Sequence, residues 1–335
     1  MKACTALLAS MAAVRSGPTP IARKYREVVA SSSSRLEGYL SNLGVTQEEL
    51  QHSNNIPMFW FQEVSSTMDT SRELLRSNEL NCQTLPLFGV LTKSQTVGRG
   101  TRGRKWIEGS GNLFLTLVFH KRLLPTAVPL TLVPLRIGSL LHPIVVRRVS
   151  SEAEVHLKWP NDLLVNNKKV SGILIEIEDE NLLVGIGINV MTAPRIPGIG
   201  AAGDSNDGED DARPSTSIYD QQNSPPQVCN SEGEGSNCSE QEGAFPSHQD
   251  AFIEGIAVEN AEAVSSWLLS VDLGDQIVAD FSALMVKSNQ KLRSSTGTHQ
   301  AGAEVTPIKV NSDGSLQVRF LLNGTEESLF ADYLW

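Results

Sequence analysis

Residues 155–190 read VHLKWPNDLLVNNKKVSGILIEIEDENLLVGIGINV. Three runs rich in Val, Ile and Leu stand out: Val155–Trp159, Lys169–Ile177 and Leu182–Val190. Asn166-Asn167 makes a turn ahead of the second run. Asp179-Glu180-Asn181 makes a hairpin between the second and the third. A parallel crossover needs about a dozen residues or more, and these connections are far shorter. The runs therefore pair antiparallel, and the chain is predicted to be α+β with a mixed, largely antiparallel sheet.

Working outward, Met58–Val64 reads as a strand, and Ser65-Ser66-Thr67 opens a helix through Leu75 with a hydroxyl start and early acidic residues. Gly89–Lys93 is a short strand and Asn112–Phe119 (NLFLTLVF) a longer one. Leu130–Val149 is a buried helix, interrupted or kinked at Pro134 and Pro143. Downstream, Ala251–Val286 returns to helical periodicity. Gly302–Trp335 alternates, with turns at Asn311–Gly314 and Asn323-Gly324, the pattern of a small β-barrel. No internal repeat is visible.

Between Asp204 and Glu242 there are ten acidic residues against a single Arg213, amid Gly, Ser, Asn, Gln and Pro. Such a stretch cannot bury enough apolar surface to fold alone, so it is expected to be a disordered surface insertion. The first 26 residues carry Lys2, Arg15, Arg23, Lys24 and Arg26 and no acid, and are rich in Ala and Ser, as transit peptides are. The expected division is 1–56 extension, 57–192 catalytic domain, 193–246 acidic insertion, 247–290 helical remainder and 291–335 small barrel.

The chain carries 28 Lys+Arg against 38 Asp+Glu, a formal charge of −10. A protein living on phosphate contacts is normally basic, so a nucleic-acid partner is not expected. No apolar run reaches a membrane span. The four cysteines lack metal-ligand spacing, which fits a reducing compartment.

Against this acidic background, residues 98–106 read Gly-Arg-Gly-Thr-Arg-Gly-Arg-Lys-Trp. Arginine grips carboxylates and phosphates through a planar fork of donors. Glycine lets backbone N–H groups approach an oxyanion closely. Tryptophan offers a flat face to a base. The run describes a loop that closes over a small anionic ligand, a nucleotide; a solvated basic loop, or a nucleic-acid-binding patch, is the bland alternative.

SQTVGRGTRGRKW (94–106), KWPNDLLVNNKKVSGILIE (158–176) and VGIGINV (184–190), in that order and spacing, resemble the biotin–protein ligases, and EVSSTMDTSRELL (63–75) is similar to that family's Ser-Thr-Asn helix start. The resemblance is dense over 57–190 and faint at Arg213–Ile218. It implies a class II synthetase-like (biotinyl/lipoyl ligase) domain with a small C-terminal SH3-like β-barrel. It also implies an ATP- and Mg2+-dependent reaction in which biotin becomes biotinyl-5′-AMP and is then passed to a lysine of a biotin carboxyl carrier domain of a biotin-dependent carboxylase.

Residue by residue, the resemblance makes Lys169 and Arg99 catalytic, since a carboxylate and a phosphate must be brought together against their repulsion. Ser66, Thr67 and Gln95 would hold the ureido ring. Gly172 and Gly187 would leave room for the bicycle and its tail, and Met68, Gly100 and Thr101 would line the biotin site. Arg102, Arg104, Trp106, Asn161, Asp162 and Asn189 would contact ATP, with Trp106 near adenine and Asp162 the candidate Mg2+ ligand. Trp159 and Pro160 read as structural. Met68 stands where the family usually has Asn, so that side chain's contact is lost or replaced by apolar packing. Thr101 stands where many members have a further Arg. A lipoate–protein ligase of the same fold, or a non-catalytic biotin sensor, is the rival reading. A homodimer is compatible with the resemblance, as is an intracellular location, cytoplasmic or, with a transit peptide, mitochondrial or plastid.

Overall fold

The structure, a computed structural model, describes residues 56–76, 87–125, 128–194, 214–222, 248–270, 274–292 and 299–330. The N-terminal extension and most of the acidic insertion, Arg213 included, lie outside the described residues. The elements run β1 (Met58–Val64), α1 (Thr67–Arg76), β2 (Leu87–Gln95), β3 (Leu113–His120), α2 (Val133–Val146), β4 (Val155–Lys158), β5 (Asp162–Val165), β6 (Lys168–Glu178) and β7 (Asn181–Ile188), then α3 (His248–Leu268), α4 (Gly274–Leu284), β8 (Gln290–Lys291), β9 (Glu304–Val310), β10 (Leu316–Phe320) and β11 (Glu326–Leu329).

Seven strands form one mixed sheet in the order β1-β2-β3-β7-β6-β5-β4. β1 and β2 are parallel, because α1 carries the chain back between them; the other pairs are antiparallel. The Asn166-Asn167 turn joins β5 to β6 with both residues at positive φ, 49° and 63°, as a two-residue hairpin turn with asparagines allows. β5 was not expected as a strand. It has only four residues and follows β4 across the three residues Trp159–Asn161, so VHLK and DLLV read as one strand and its turn.

Alternation along the strands divides the sheet's two faces. On β7, Leu182, Val184, Ile186 and Ile188 enter the larger core, which α2, α3 and α4 cover with residues such as Leu141, Trp267 and Phe281. Leu183 enters a smaller core under α1, with Phe59, Phe88, Val118 and Met68. α2 is less interrupted than expected: Pro134 sits in its first turn, where no N–H is needed, and the helix continues past Pro143 to Val146.

The C-terminal strands form a second antiparallel sheet, β11-β10-β9-β8; closure into the expected barrel is not seen among the described strands. This sheet shares the larger core through Val305, Val318 and Phe320. Two hydrogen bonds tie its approach and its first turn to β4: Val286 N–H donates to the Leu157 carbonyl at 2.8 Å, and the Trp159 indole N–H to the Gly314 carbonyl at 2.9 Å. Gly314 has φ +86° and lies so close to Thr131 that a Cβ would come within 2.9 Å of it. Trp159 is thus structural, as expected. No helix among the described residues is long and apolar enough to cross a membrane.

Candidate active site

The site lies on the α1 face of the sheet, where β6 and β7 present glycines instead of side chains. Gly172 and Gly187 are register partners, and Gly185 follows on the same face of β7. The indole of Trp106 fills the resulting hollow. A Cβ on Gly187 would lie 2.7 Å from Cε2 and Cζ2 of that ring, and one on Gly172 would lie 2.9 Å from Cζ3. The room that the resemblance assigned to the biotin bicycle is therefore occupied here by Trp106, which was expected beside adenine. Its indole Nε1 is buried without a hydrogen-bond partner. Met68 reaches over Gly185, whose Cβ would sit 3.0 Å from the Met68 sulfur, so apolar packing does replace a polar contact at this position.

One end of the hollow is a small polar nest. Gln95 Oε1 accepts the Thr67 backbone N–H at 2.9 Å and the Thr67 hydroxyl at 3.2 Å, while the Thr116 hydroxyl donates to Thr67 Oγ1 at 2.8 Å. A backbone N–H can only donate, so the Gln95 atom facing it is the oxygen and the amide NH2 is turned the other way, as a donor for a ligand carbonyl. Ser66 Oγ caps α1 by accepting the Met68 N–H at 3.3 Å, and a hydroxyl accepting there still has a proton to donate. Ser66, Thr67, Gln95 and Thr116 are all buried. Thr116 went unpredicted, though a lone hydroxyl in the apolar run LFLTLVF was a signal for it.

The other end is cationic. Lys169 Nζ lies 2.6 Å from Asp162 Oδ1 and 5.5 Å from the centroid of Trp106. Residues 214–222, expected within the disordered surface insertion, are instead built into the domain, with Thr216, Ser217 and Ile218 buried, and bracket Lys169. Lys169 N–H donates to the Pro214 carbonyl and its carbonyl accepts from Thr216 N–H, both at 2.9 Å. Asn189 and Asn161 turn inward. Asn189 Nδ2 donates to the Thr216 carbonyl at 3.1 Å, and Asn161 Nδ2 to the Ile173 carbonyl at 2.7 Å. Both hold backbone around the Lys169–Asp162 pair, where contacts to nucleotide had been expected of them. Asn189 Oδ1 is buried and lacks a partner.

Over the hollow lies a hairpin, Gly98–Trp106. Trp106 N–H donates to the Gly98 carbonyl at 3.0 Å, Gly100 N–H to the Arg104 carbonyl at 2.8 Å, and Thr101–Gly103 form a 3-10 turn. Arg104 is turned onto its own loop, Nη2 donating to Thr101 Oγ1 at 2.6 Å. The Arg102 side chain lies outside the described residues. Arg99 pairs with Asp69 at 2.7 Å and with Glu176 at 3.4 Å. Asp69 and Glu176 had not been singled out from the sequence, where each reads as a solvated charge.

The sequence profile of the biotin/lipoate A/B protein ligase family matches residues 60–192. The bifunctional ligase/repressor BirA of Bacillus subtilis (strain 168) is 34% identical over 145 residues, 41% of this chain and 41% of that protein. The biotin–[acetyl-CoA-carboxylase] ligase of Paracoccus denitrificans is 32% identical over 133 residues, 36% of this chain and 55% of that protein. The chain thus spans about half the length, or less, of these curated relatives. In fold it is similar to the biotin protein ligase from Aquifex aeolicus in complex with biotin and ATP, with a TM-score of 0.56 at 20% identity over 83% of this chain and 97% of that one. The stretch 60–192 that this family's profile matches holds the glycine hollow, the Gly–Arg hairpin and the Lys169–Asp162 pair.

Proposed function

We propose that the protein is an ATP-dependent biotin–protein ligase. The observation that carries the reading is the juxtaposition, under one hairpin, of a polar nest at Thr67–Gln95–Thr116 and the Lys169 ammonium, with a glycine-floored hollow beside them. With the Trp106 indole swung out of the hollow, that is the shape of a ligand with a polar ring at one end, an apolar body and a carboxylate at the other. The names of the relatives in Bacillus and Paracoccus support the same chemistry.

In the first step a biotin carboxylate oxygen attacks the α-phosphorus of ATP, the bond to the bridging oxygen breaks, and pyrophosphate leaves. Two anions approach, so a fixed cation at the junction lowers the barrier. Lys169 supplies it, with Asp162 holding the ammonium in place until substrate arrives. The Gln95 amide and the Ser66 hydroxyl offer donors to the ureido carbonyl. In the second step the neutral ε-amine of a lysine on a carboxylase's carrier domain attacks the acyl carbon, AMP leaves, and the amine's proton passes to solvent.

Mg2+ enters with ATP as its chelate. Among the described residues no group of three His, Cys, Asp or Glu could hold a metal, and Asp162 is engaged by Lys169, so these residues do not fit a resident magnesium ion.

The test is mass spectrometry of a carboxylase carrier domain incubated with the purified protein, Mg·ATP and either biotin or lipoate. A gain of one biotinyl group on one lysine is expected. A gain with lipoate alone would reassign the substrate, and no gain, with no biotin-dependent pyrophosphate release, would overturn the reading.

A further inference from the structure

We infer that Asp69 and Glu176 are positioning residues for this ligase: they hold the Gly98–Trp106 hairpin shut over the site by gripping Arg99. The function assigned to the latch rests on the ligase reading; its geometry does not.

The hairpin's internal bonds, Trp106 to Gly98, Gly100 to Arg104 and Arg104 to Thr101, give it shape without tying its tip to the sheet. The Trp106 and Arg99 side chains both reach the body at β6. Trp106 sits on Gly172, and across the register on Gly187 of β7, while Arg99 reaches Glu176 of β6. These β6 residues are four apart and so share a face, about 13 Å from one another along the strand. Asp69, in the first turn of α1, takes the same Arg99 nitrogen at 2.7 Å. The hairpin is pinned at two separated points, which fixes its tilt as well as its height.

A part-exposed ion pair is ordinarily weak, because two long side chains must be ordered to form it. Here the acceptors are already ordered. Arg72 donates to Asp69 Oδ1 at 3.0 Å and to Glu178 Oε2 at 3.2 Å, and also bonds Glu176, while Arg76 holds Glu178 at 2.6 Å. Burial opposes the charge on Arg72, yet the hydrogen bond and attraction of Glu176, with Asp69 and Glu178 behind it, raise its pKa above the usual value. Three carboxylates and three guanidiniums balance, and Arg99 joins a network whose other members are held without it.

An acyl-adenylate made in the first step must stay under the hairpin until an acceptor lysine arrives. The latch keeps it there, and more depends on it because position 101 is a neutral threonine bonded to Arg104.

The experiment compares wild type, Asp69→Asn, Arg99→Gln and the double variant. Hydrogen exchange of the ligand-free proteins reads the hairpin itself. Asp69→Asn is expected to speed exchange at 98–106 about three- to tenfold, the range for an ion pair within a network, and to add little once Arg99 is already Gln. In Asp69→Asn alone, stopped-flow release of biotinyl-5′-AMP should rise by the same factor, with adenylate formation within about twofold of wild type and the thermal midpoint unmoved. A structural defect would instead lower the midpoint and slow formation. Unchanged hairpin exchange in Asp69→Asn, or fully additive effects in the double variant, would overturn the latch. Wild-type protein that makes no adenylate would overturn the ligase reading and leave the exchange result to decide the latch.

Discussion

The Trp106 indole takes the space that a side chain at residue 187 would need. With glycine there the ring settles onto the strand; a Cβ would stand 2.7 Å from two ring carbons, closer than non-bonded carbons approach. Gly187→Ala must therefore expel the indole or shift β7, and the indole, on a hairpin, moves more easily. Expelling it costs about 1–3 kcal/mol where such overpacking is not relieved. The expected outcome is a red-shifted, more quenchable Trp106 emission, read against a Trp106→Phe control, with biotin affinity lowered because the new methyl also narrows the hollow. An unchanged emission would mean the ring does not rest there in solution.

Lys169→Ala tests the cation at the other end. Removing one donor that stabilises developing charge costs about 3 kcal/mol, or roughly two orders of magnitude in the adenylation rate. The substitution also strands Asp162, whose carboxylate then faces the incoming phosphate alone. Asp162→Asn in the same background should recover part of the loss. Biotin-dependent pyrophosphate release at near wild-type rate in Lys169→Ala would remove Lys169 from the mechanism.

Much of this was legible in the sequence where the cause is local. The β6–β7 hairpin was legible, but its turn is the two residues Asp179-Glu180 rather than the three expected, and it is this register that brings Gly172 opposite Gly187. Met68's packing also follows from its apolar side chain in an otherwise polar helix start. What was not legible depends on distant partners. The role of Trp159 needs the carbonyl of Gly314, 155 residues away. Asp69, Arg72 and Glu176 read singly as solvated charges, because nothing in their neighbourhoods says that a helix, a strand and a hairpin meet there. Asn161 and Asn189 carry motif positions, yet their side chains hold backbone, which a motif does not distinguish from holding a ligand.

Two glutamates on α3 should respond to pH in opposite senses. Glu259 is held below the usual carboxylate range, chiefly by its hydrogen bond to Arg148 and with help from Arg147. Its contribution is present above the unfolded pKa and is lost as pH falls through the lower folded value. Glu254 is pushed up, first by burial and then by Asp250, so its favourable form is the protonated one, and that contribution is lost as pH rises through the folded value. Glu259→Gln should lower the thermal midpoint at pH 7 by an amount worth about 0.5 kcal/mol, after allowing for solvent screening, and the difference should close in acid. Glu254→Gln should be neutral or stabilising at pH 7 and lose that advantage near pH 4. Parallel pH dependence in the two variants would contradict these assignments.

Thr101→Arg tests what the tip of the hairpin contributes. The threonine hydroxyl now accepts from Arg104 Nη2 at 2.6 Å, and Arg104 Nε donates to the Thr101 carbonyl at 3.2 Å, so the side chain at 101 keeps a neighbouring cation folded onto the loop. Arginine at 101 cannot accept that bond. It would free Arg104 from the hydroxyl and add a second guanidinium, and one charge-assisted contact to the adenylate phosphate is worth about 1.5–3 kcal/mol. Release of biotinyl-5′-AMP should then slow by about tenfold or more, and untargeted labelling of bystander lysines should fall with it, while transfer to the carrier lysine persists. Stopped-flow dissociation from both forms gives the first quantity and biotinylation of an added inert protein the second. If release slows in Thr101→Arg while Asp69→Asn still speeds it in that background, tip and latch act independently; equal release from Thr101→Arg and wild type would show that residue 101 does not govern retention.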